Sequence, residues 1–111
     1  MDVQVTDNPA THRFEIRADG ELAGFTLYRP AETRYTFVHT EIDPRFEGHG
    51  LASKLISQVL DTMRERGLSV LPHCPFVRAY IETHHEYLDL VPHELRQAFK
   101  LPEAAETSTT D

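Results

Sequence analysis

Two stretches of the sequence hold residue types at spacings that bear on chemistry. The first is Asp43-Pro44-Arg45-Phe46-Glu47-Gly48-His49-Gly50-Leu51-Ala52-Ser53-Lys54, which joins an extended segment to an amphipathic one. Its glycines let the backbone approach a ligand closely, and the free N–H groups of a helix N-terminus carry about half a positive charge. Together they suit a phosphate or pyrophosphate, although a glycine-rich turn from strand to helix is also ordinary architecture. A P-loop would continue Lys-Ser/Thr after the second glycine, where Leu51-Ala52 stands, and a dinucleotide fingerprint would need Gly or Ala in place of Ser53. The loop matches neither pattern.

The second stretch, Pro72-His73-Cys74-Pro75-Phe76-Val77, contains the single cysteine of the chain. Cys74 can be read as a reactive thiol or as a small buried apolar residue. His39 is a candidate for proton transfer near neutral pH, as any histidine is. It reads equally well as a core histidine, on a strand with Tyr35 and Phe37 on its face. Glu47 is either a base or a first-turn acid complementing the helix dipole. His73, Cys74, His84, His85 and His93 are the only metal-ligating cluster, without an i, i+4 histidine pair or a second cysteine, so no metal site is expected.

The elements that must position these residues follow from periodicity. Phe14, Ile16 and Ala18 alternate as a strand, and Asp19-Gly20 suits a tight hairpin turn. A return strand over 21–29 places Ala23, Phe25 and Leu27 on one face, and Tyr35 to Ile42 reads as a long β-branched and aromatic strand. Val3 to Val5 are expected as an edge strand. Ala52, Leu55, Ile56, Val59, Leu60 and Met63 then form a helical stripe closed by Gly67 at the C′ position. A short strand over 68–71 ends at Pro72, a second helix runs from Phe76 to His84, and a third covers His93 to Lys100. This order predicts an α+β domain (α/β in the wider sense), a mostly antiparallel sheet with helices packed on it.

Composition bounds the rest. With 111 residues there is room for one core, taken as a single domain over 1–101 followed by a flexible acidic tail over 102–111. Eleven Lys and Arg against eighteen Asp and Glu give a net charge of −7, and no basic run is present, which argues against nucleic acid as a partner. One cysteine precludes an internal disulfide and favours a reducing, cytoplasmic setting. No apolar stretch is long enough to span a membrane, and the first residues lack the pattern of a signal peptide.

Arg45-Phe46-Glu47-Gly48-His49-Gly50 resembles the Arg/Gln-x-x-Gly-x-Gly/Ala signature of the GNAT superfamily of N-acetyltransferases, in the place where that family has it. His39-Thr40-Glu41, the Gly48 to Ala52 helix start, and Pro72 to Val77 followed by Tyr80-Ile81 are similar to one minimal, single-domain branch, the YjdJ-type domains. The resemblance spans about Phe14 to Val91. It implies an N-acetyltransferase with acetyl-CoA as cosubstrate and an amine acceptor of unnamed identity, possible acceptors being a protein amine or a polyamine. It implies a cofactor site at Thr40, Glu41, Ile42, Arg45, Phe46, Glu47, Gly48, His49, Gly50, Leu51, Ala52, Cys74, Pro75, Phe76 and Tyr80. Pyrophosphate would lie on the loop amides and pantetheine between two splayed strands, with Cys74 as a candidate general acid or transient acyl acceptor and His39 as a candidate base for the amine. The family's usual pair of helices between the first two strands has no room here, since only about six residues, Thr6 to Thr11, are available. This leaves a second reading, a CoA-binding or interaction module with little catalysis. A monomer or weak dimer is expected.

Overall fold

A computed structural model describes residues 1–102. The expected tail over 102–111 lies outside the described residues except for Pro102. Five strands form one sheet in sequential order: β1 (Val3–Asn8), β2 (Arg13–Ala18), β3 (Glu21–Pro30), β4 (Arg34–Ile42) and β5 (Ser69–Pro72). The first four are antiparallel neighbours, and β5 joins β4 in parallel after the crossover helix α1 (Leu51–Arg66). Helices α2 (Pro75–Thr83) and α3 (His93–Arg96) follow, separated by a 3-10 segment at His85–Leu90. The predicted third helix therefore stops at Arg96, short of Lys100, where the chain turns through a positive φ of 59°.

The apolar stripe of α1 packs against the sheet. Leu55, Ile56, Leu60 and Met63 are fully buried against Ile16, Phe37 and Val70, each side chain contributing about 1.5–3 kcal/mol. Gly67 closes the helix in the left-handed conformation, its N–H bonded to the Arg64 carbonyl at 3.1 Å, as the sequence signals. Asp19 and Gly20 both take positive φ in the β2–β3 turn, which matches the expected Asp-Gly hairpin.

Two bulges correct the predicted strand faces. Arg17 pairs with Leu22 while Ile16 pairs with Gly24, so Ala23 is an extra residue in β3. The core-facing set beyond it is Gly24, Thr26 and Tyr28, and Phe25 and Leu27 turn to the opposite face. In the same way Tyr28 pairs with Phe37 and Leu27 with His39, so Val38 is the extra residue in β4. Tyr35 and Phe37 point into the core, whereas His39 emerges on the other side, exposed. A slip of one residue inverts every later side chain of a strand, and strict alternation could not anticipate it.

The second face of the sheet carries Arg13, Glu15, Arg17, His39 and Glu41 beside Phe25 and Leu27. Glu15, 4% exposed, accepts from Arg13 Nε at 2.7 Å, from Arg17 at 3.1 Å and from Asn8 Nδ2 at 3.1 Å. Burial raises its pKa, but the hydrogen bonds from Arg13 and Asn8 and the two guanidinium charges outweigh it, so the carboxyl stays below the usual carboxylate range. A depressed folded pKa contributes stability that is complete above the ordinary value of about 4.3 and is lost as pH falls through the folded value. Glu15→Gln is therefore expected to cost about 1 kcal/mol at neutral pH. Urea midpoints of wild type and variant should converge as pH drops below about 4.

Candidate functional site

The loop after β4 is shaped by Asp43, whose role the sequence reading missed. Its carboxylate accepts the Arg45 backbone N–H at 2.9 Å and the Arg45 guanidinium at 3.2 Å. The bond from the Arg45 backbone N–H, then the guanidinium, hold this carboxyl below its ordinary pKa. Pro44–Phe46 make one 3-10 turn, closed by Phe46 N–H to the Asp43 carbonyl at 2.8 Å. The guanidinium of Arg45 also reaches Glu21 at 3.5 Å and lies over the Phe46 ring at 5.3 Å, so in this structure it braces the loop. An Asp two residues before the signature arginine is the signal that could have revealed this clasp.

Gly48 and Gly50 have φ of 88° and 71°, the left-handed region where a side chain is disfavoured. A Cβ on either would meet nothing within 4 Å, so both face open space. Gly50 is the N-cap of α1 and supplies no side-chain acceptor. The first-turn N–H groups of the helix, which no intrahelical carbonyl can reach, therefore point outward uncapped. They border a cavity of about 320 Å³ lined by Ile42, Phe46, Glu47, Gly48, Gly50, Leu51, Ala52, Ser53 and Phe76. His49, in the same loop, is exposed. Phe76, 38% exposed at the start of α2, is one of only two large exposed hydrophobics among the described residues. This cradle fits a pyrophosphate attached to an apolar stem.

Next to it the sheet opens. Pairing of β4 with β5 ends at Phe37 with Pro72, and Val38 to Ile42 continue without a β5 neighbour. One further bond, Cys74 N–H to the Phe37 carbonyl at 2.7 Å, closes the vertex. Cys74 is the N-cap of α2, with Pro75 at N1, and is 2% exposed. Its Sγ lies 3.2 Å from Thr40 Oγ1, which lies 2.9 Å from Thr26 Oγ1. Tyr80 is half-buried on α2 and stacks on His84 with ring centroids 3.8 Å apart.

The expected site residues thus divide into groups. Thr40 and Cys74 meet at the vertex, while Ile42, Phe46, Glu47, Gly48, Gly50, Leu51, Ala52 and Phe76 surround the cavity. His39 and Glu41 share the opposite face of β4, their side chains 3.5 Å apart and both largely exposed. Neighbouring strand residues point to opposite faces, so His39 does not meet Cys74. Thr26 escaped the sequence reading because its contacts are 14 residues away in the chain, with no motif to mark them. Among the described residues, no group of three His, Cys, Asp or Glu side chains could hold a metal ion.

The five-stranded mixed sheet with helices packed on it has an acetyltransferase-type fold. The family model for the GCN5-related N-acetyl-transferase matches residues 13–90, and the chain belongs to this family. A GCN5-like protein of Staphylococcus aureus, solved in solution, superposes with a TM-score of 0.61 at 21% identity, covering 80% of this chain and 87% of that one. The ribosomal-protein-alanine N-acetyltransferase of Brucella melitensis biovar Abortus gives 0.51 at 22% identity, over 72% and 62% of the two chains. Ard1 of Thermoplasma volcanium gives 0.47 at 24% identity, over 53% of this chain, and this chain spans only 41% of its length. No curated protein matches the sequence.

Burial of Cys74 has a direct readout. Its reaction with a polar disulfide reagent is expected to be at least about tenfold slower in the native protein than in denaturant, since thiolate attack requires access. Equal rates would contradict the closed vertex.

Proposed function

We propose that the chain is an N-acetyltransferase that takes acetyl-CoA as cosubstrate and an amine as acceptor, within the minimal YjdJ-type branch of its family. The observation that carries this reading is the uncapped N-terminus of α1 behind two positive-φ glycines, opening on a cavity whose far side is the exposed Phe76. Backbone N–H groups from Gly48 to Ala52 would receive the pyrophosphate, and Phe76 with Ile42 would cover the apolar stem. The unpaired stretch of β4 from Val38 to Ile42 offers backbone groups to an extended amide chain lying along it, in the manner of an added strand. Cys74, at the vertex, is the candidate for the residue meeting the thioester sulfur, and exposed His39 for the residue met by the incoming amine.

The acidity of the whole chain does not oppose an anionic cofactor. Charges farther away than about 8 Å are screened at physiological salt, whereas the helix N–H groups touch the ligand. A cytoplasmic setting accords with a free cysteine, and no helix among the described residues is long and apolar enough to cross a membrane.

A second reading, a CoA-binding module with little turnover, is favoured by one feature. The connection between β1 and β2 is a single 3-10 turn at Pro9–Thr11, so no helix there walls an acceptor pocket. Such an open site would suit a large acceptor, such as an exposed lysine or an N-terminus, better than a small enclosed amine.

Calorimetric titration with acetyl-CoA tests the proposal, and absence of binding at millimolar cofactor would refute it. In Gly50→Asp the new carboxylate would occupy the helix N-terminus that the pyrophosphate needs, and Asp tolerates the left-handed conformation better than most residues. Its affinity for acetyl-CoA should fall at least about tenfold while the helical circular dichroism is kept. Turnover is measured separately, by CoA release that depends on an added amine.

A further inference from the structure

The hydroxyl groups of Thr26 and Thr40 are not explained by the cofactor cradle. They form a partly buried chain from the Cys74 sulfur to a backbone carbonyl: Sγ to Thr40 Oγ1 at 3.2 Å, Thr40 Oγ1 to Thr26 Oγ1 at 2.9 Å, and Thr26 Oγ1 to the His39 carbonyl at 3.3 Å. Thr26 is fully buried and Cys74 is 2% exposed, while Thr40 between them is half-buried. Each hydroxyl and the thiol has one proton to give, and the carbonyl at the far end can only accept.

That acceptor sets the polarity of the whole chain. With the Thr26 proton on the His39 carbonyl, the Thr26 oxygen accepts from Thr40, and Thr40 in turn accepts from the one donor left, the Cys74 S–H. If the sulfur is ionised it becomes the acceptor, and the chain inverts: Thr40 turns its proton to Sγ and Thr26 turns its proton to Thr40. Two rotations of hydroxyl groups serve both states, without movement of any heavy atom. An ionised acceptor makes the stronger bond, so the inverted arrangement favours the thiolate more than the first arrangement favours the thiol.

We propose that Thr40 and Thr26 are positioning residues that hold Cys74 as a proton donor and then stabilise its thiolate, which makes Cys74 the acid of the reaction and not an acyl carrier. The inference rests on the acetyltransferase reading above. When the amine has added to the thioester and the carbon–sulfur bond breaks, the electron pair leaves with the CoA sulfur, which takes the Cys74 proton. Thr40 then bonds the Cys74 thiolate. The surplus proton on the acceptor nitrogen returns to the Cys74 sulfur through water, so the enzyme ends as it began, with amide and free CoA thiol as products.

The first experiment needs no cofactor. Because the chain has one cysteine, its S–H infrared stretching band belongs to Cys74 alone. The band should lie at a hydrogen-bonded position in wild type and Thr40→Ser, and move to that of a free thiol in Thr40→Val. The pH profile of Cys74 alkylation should shift upward in Thr40→Val and be restored in Thr40→Ser. In steady-state assays Thr40→Val should lower kcat about tenfold or more with KM for acetyl-CoA little changed, the pattern of a lost proton-transfer aid. Thr26→Val removes the carbonyl link but leaves Thr40 free to bond sulfur, so it should shift the band less than Thr40→Val.

A free-thiol band in wild type would overturn the inference. So would an unshifted alkylation profile in Thr40→Val, or an acetyl group accumulating on Cys74 in intact-mass spectra at a rate matching turnover. Failure of wild type to bind acetyl-CoA by calorimetry would instead strike the acetyltransferase reading, and the infrared and alkylation results would still decide the hydroxyl chain. Thr40→Ser keeps the hydroxyl with one methyl fewer, so it separates loss of the bond from loss of packing.

Discussion

The hydrogen bond from the Cys74 N–H to the Phe37 carbonyl is the constraint on which the site depends. It is the last contact in a parallel pair that stops after four residue pairs. Proline explains the stop on one side, because Pro72 has no N–H to continue the ladder and Pro75 starts a helix one residue after Cys74. On the other side β4 runs on toward Ile42, held by β3 alone along that edge. The opening between the strands is thus fixed by covalent features of two prolines and by one short bond, while Phe37 is locked into the core with no exposed surface.

The stripe and the start of α1 then work in the same direction. Its buried stripe fixes the helix against the sheet, and its start, capped by a glycine that offers no side chain, leaves the backbone N–H groups unsatisfied beside the opening. The Asp43 clasp on Arg45 holds the intervening loop without using those N–H groups. Local stability and ligand readiness are usually in conflict at a helix N-terminus, because the best caps are also the best occupants of the site. Here the clasp sits upstream, and the conflict does not arise.

The parts of this arrangement that were legible in the sequence are those with local periodicity. The α1 stripe, the Asp19-Gly20 turn, the Gly67 terminus and the glycine loop are each set by residues within a few positions of one another. The two bulges, at Ala23 and Val38, were not legible, because a strand with an extra residue has the same composition as one without. Their effect is large: Phe25 and Leu27 leave the core face, and His39 passes from the face of Phe37 to the exposed one. The hydroxyl chain was hidden for a related reason. Thr26, Thr40 and Cys74 come from a bulged strand, its neighbour and a helix cap, and only the folded register brings them within bonding distance.

The parallel junction of β4 with β5 has a kinetic meaning as well. Every other strand pair in the sheet is a hairpin between neighbours in sequence, whereas Phe37 and Pro72 meet only after the whole of α1 has been laid across the sheet. Contacts that close long loops carry more entropy cost and tend to form late. The opening is bounded by the latest of these contacts, so the folded chain should first come apart there. A ligand spanning both strands would then act chiefly on the rate of unfolding, lengthening the life of the folded chain more than it hastens folding.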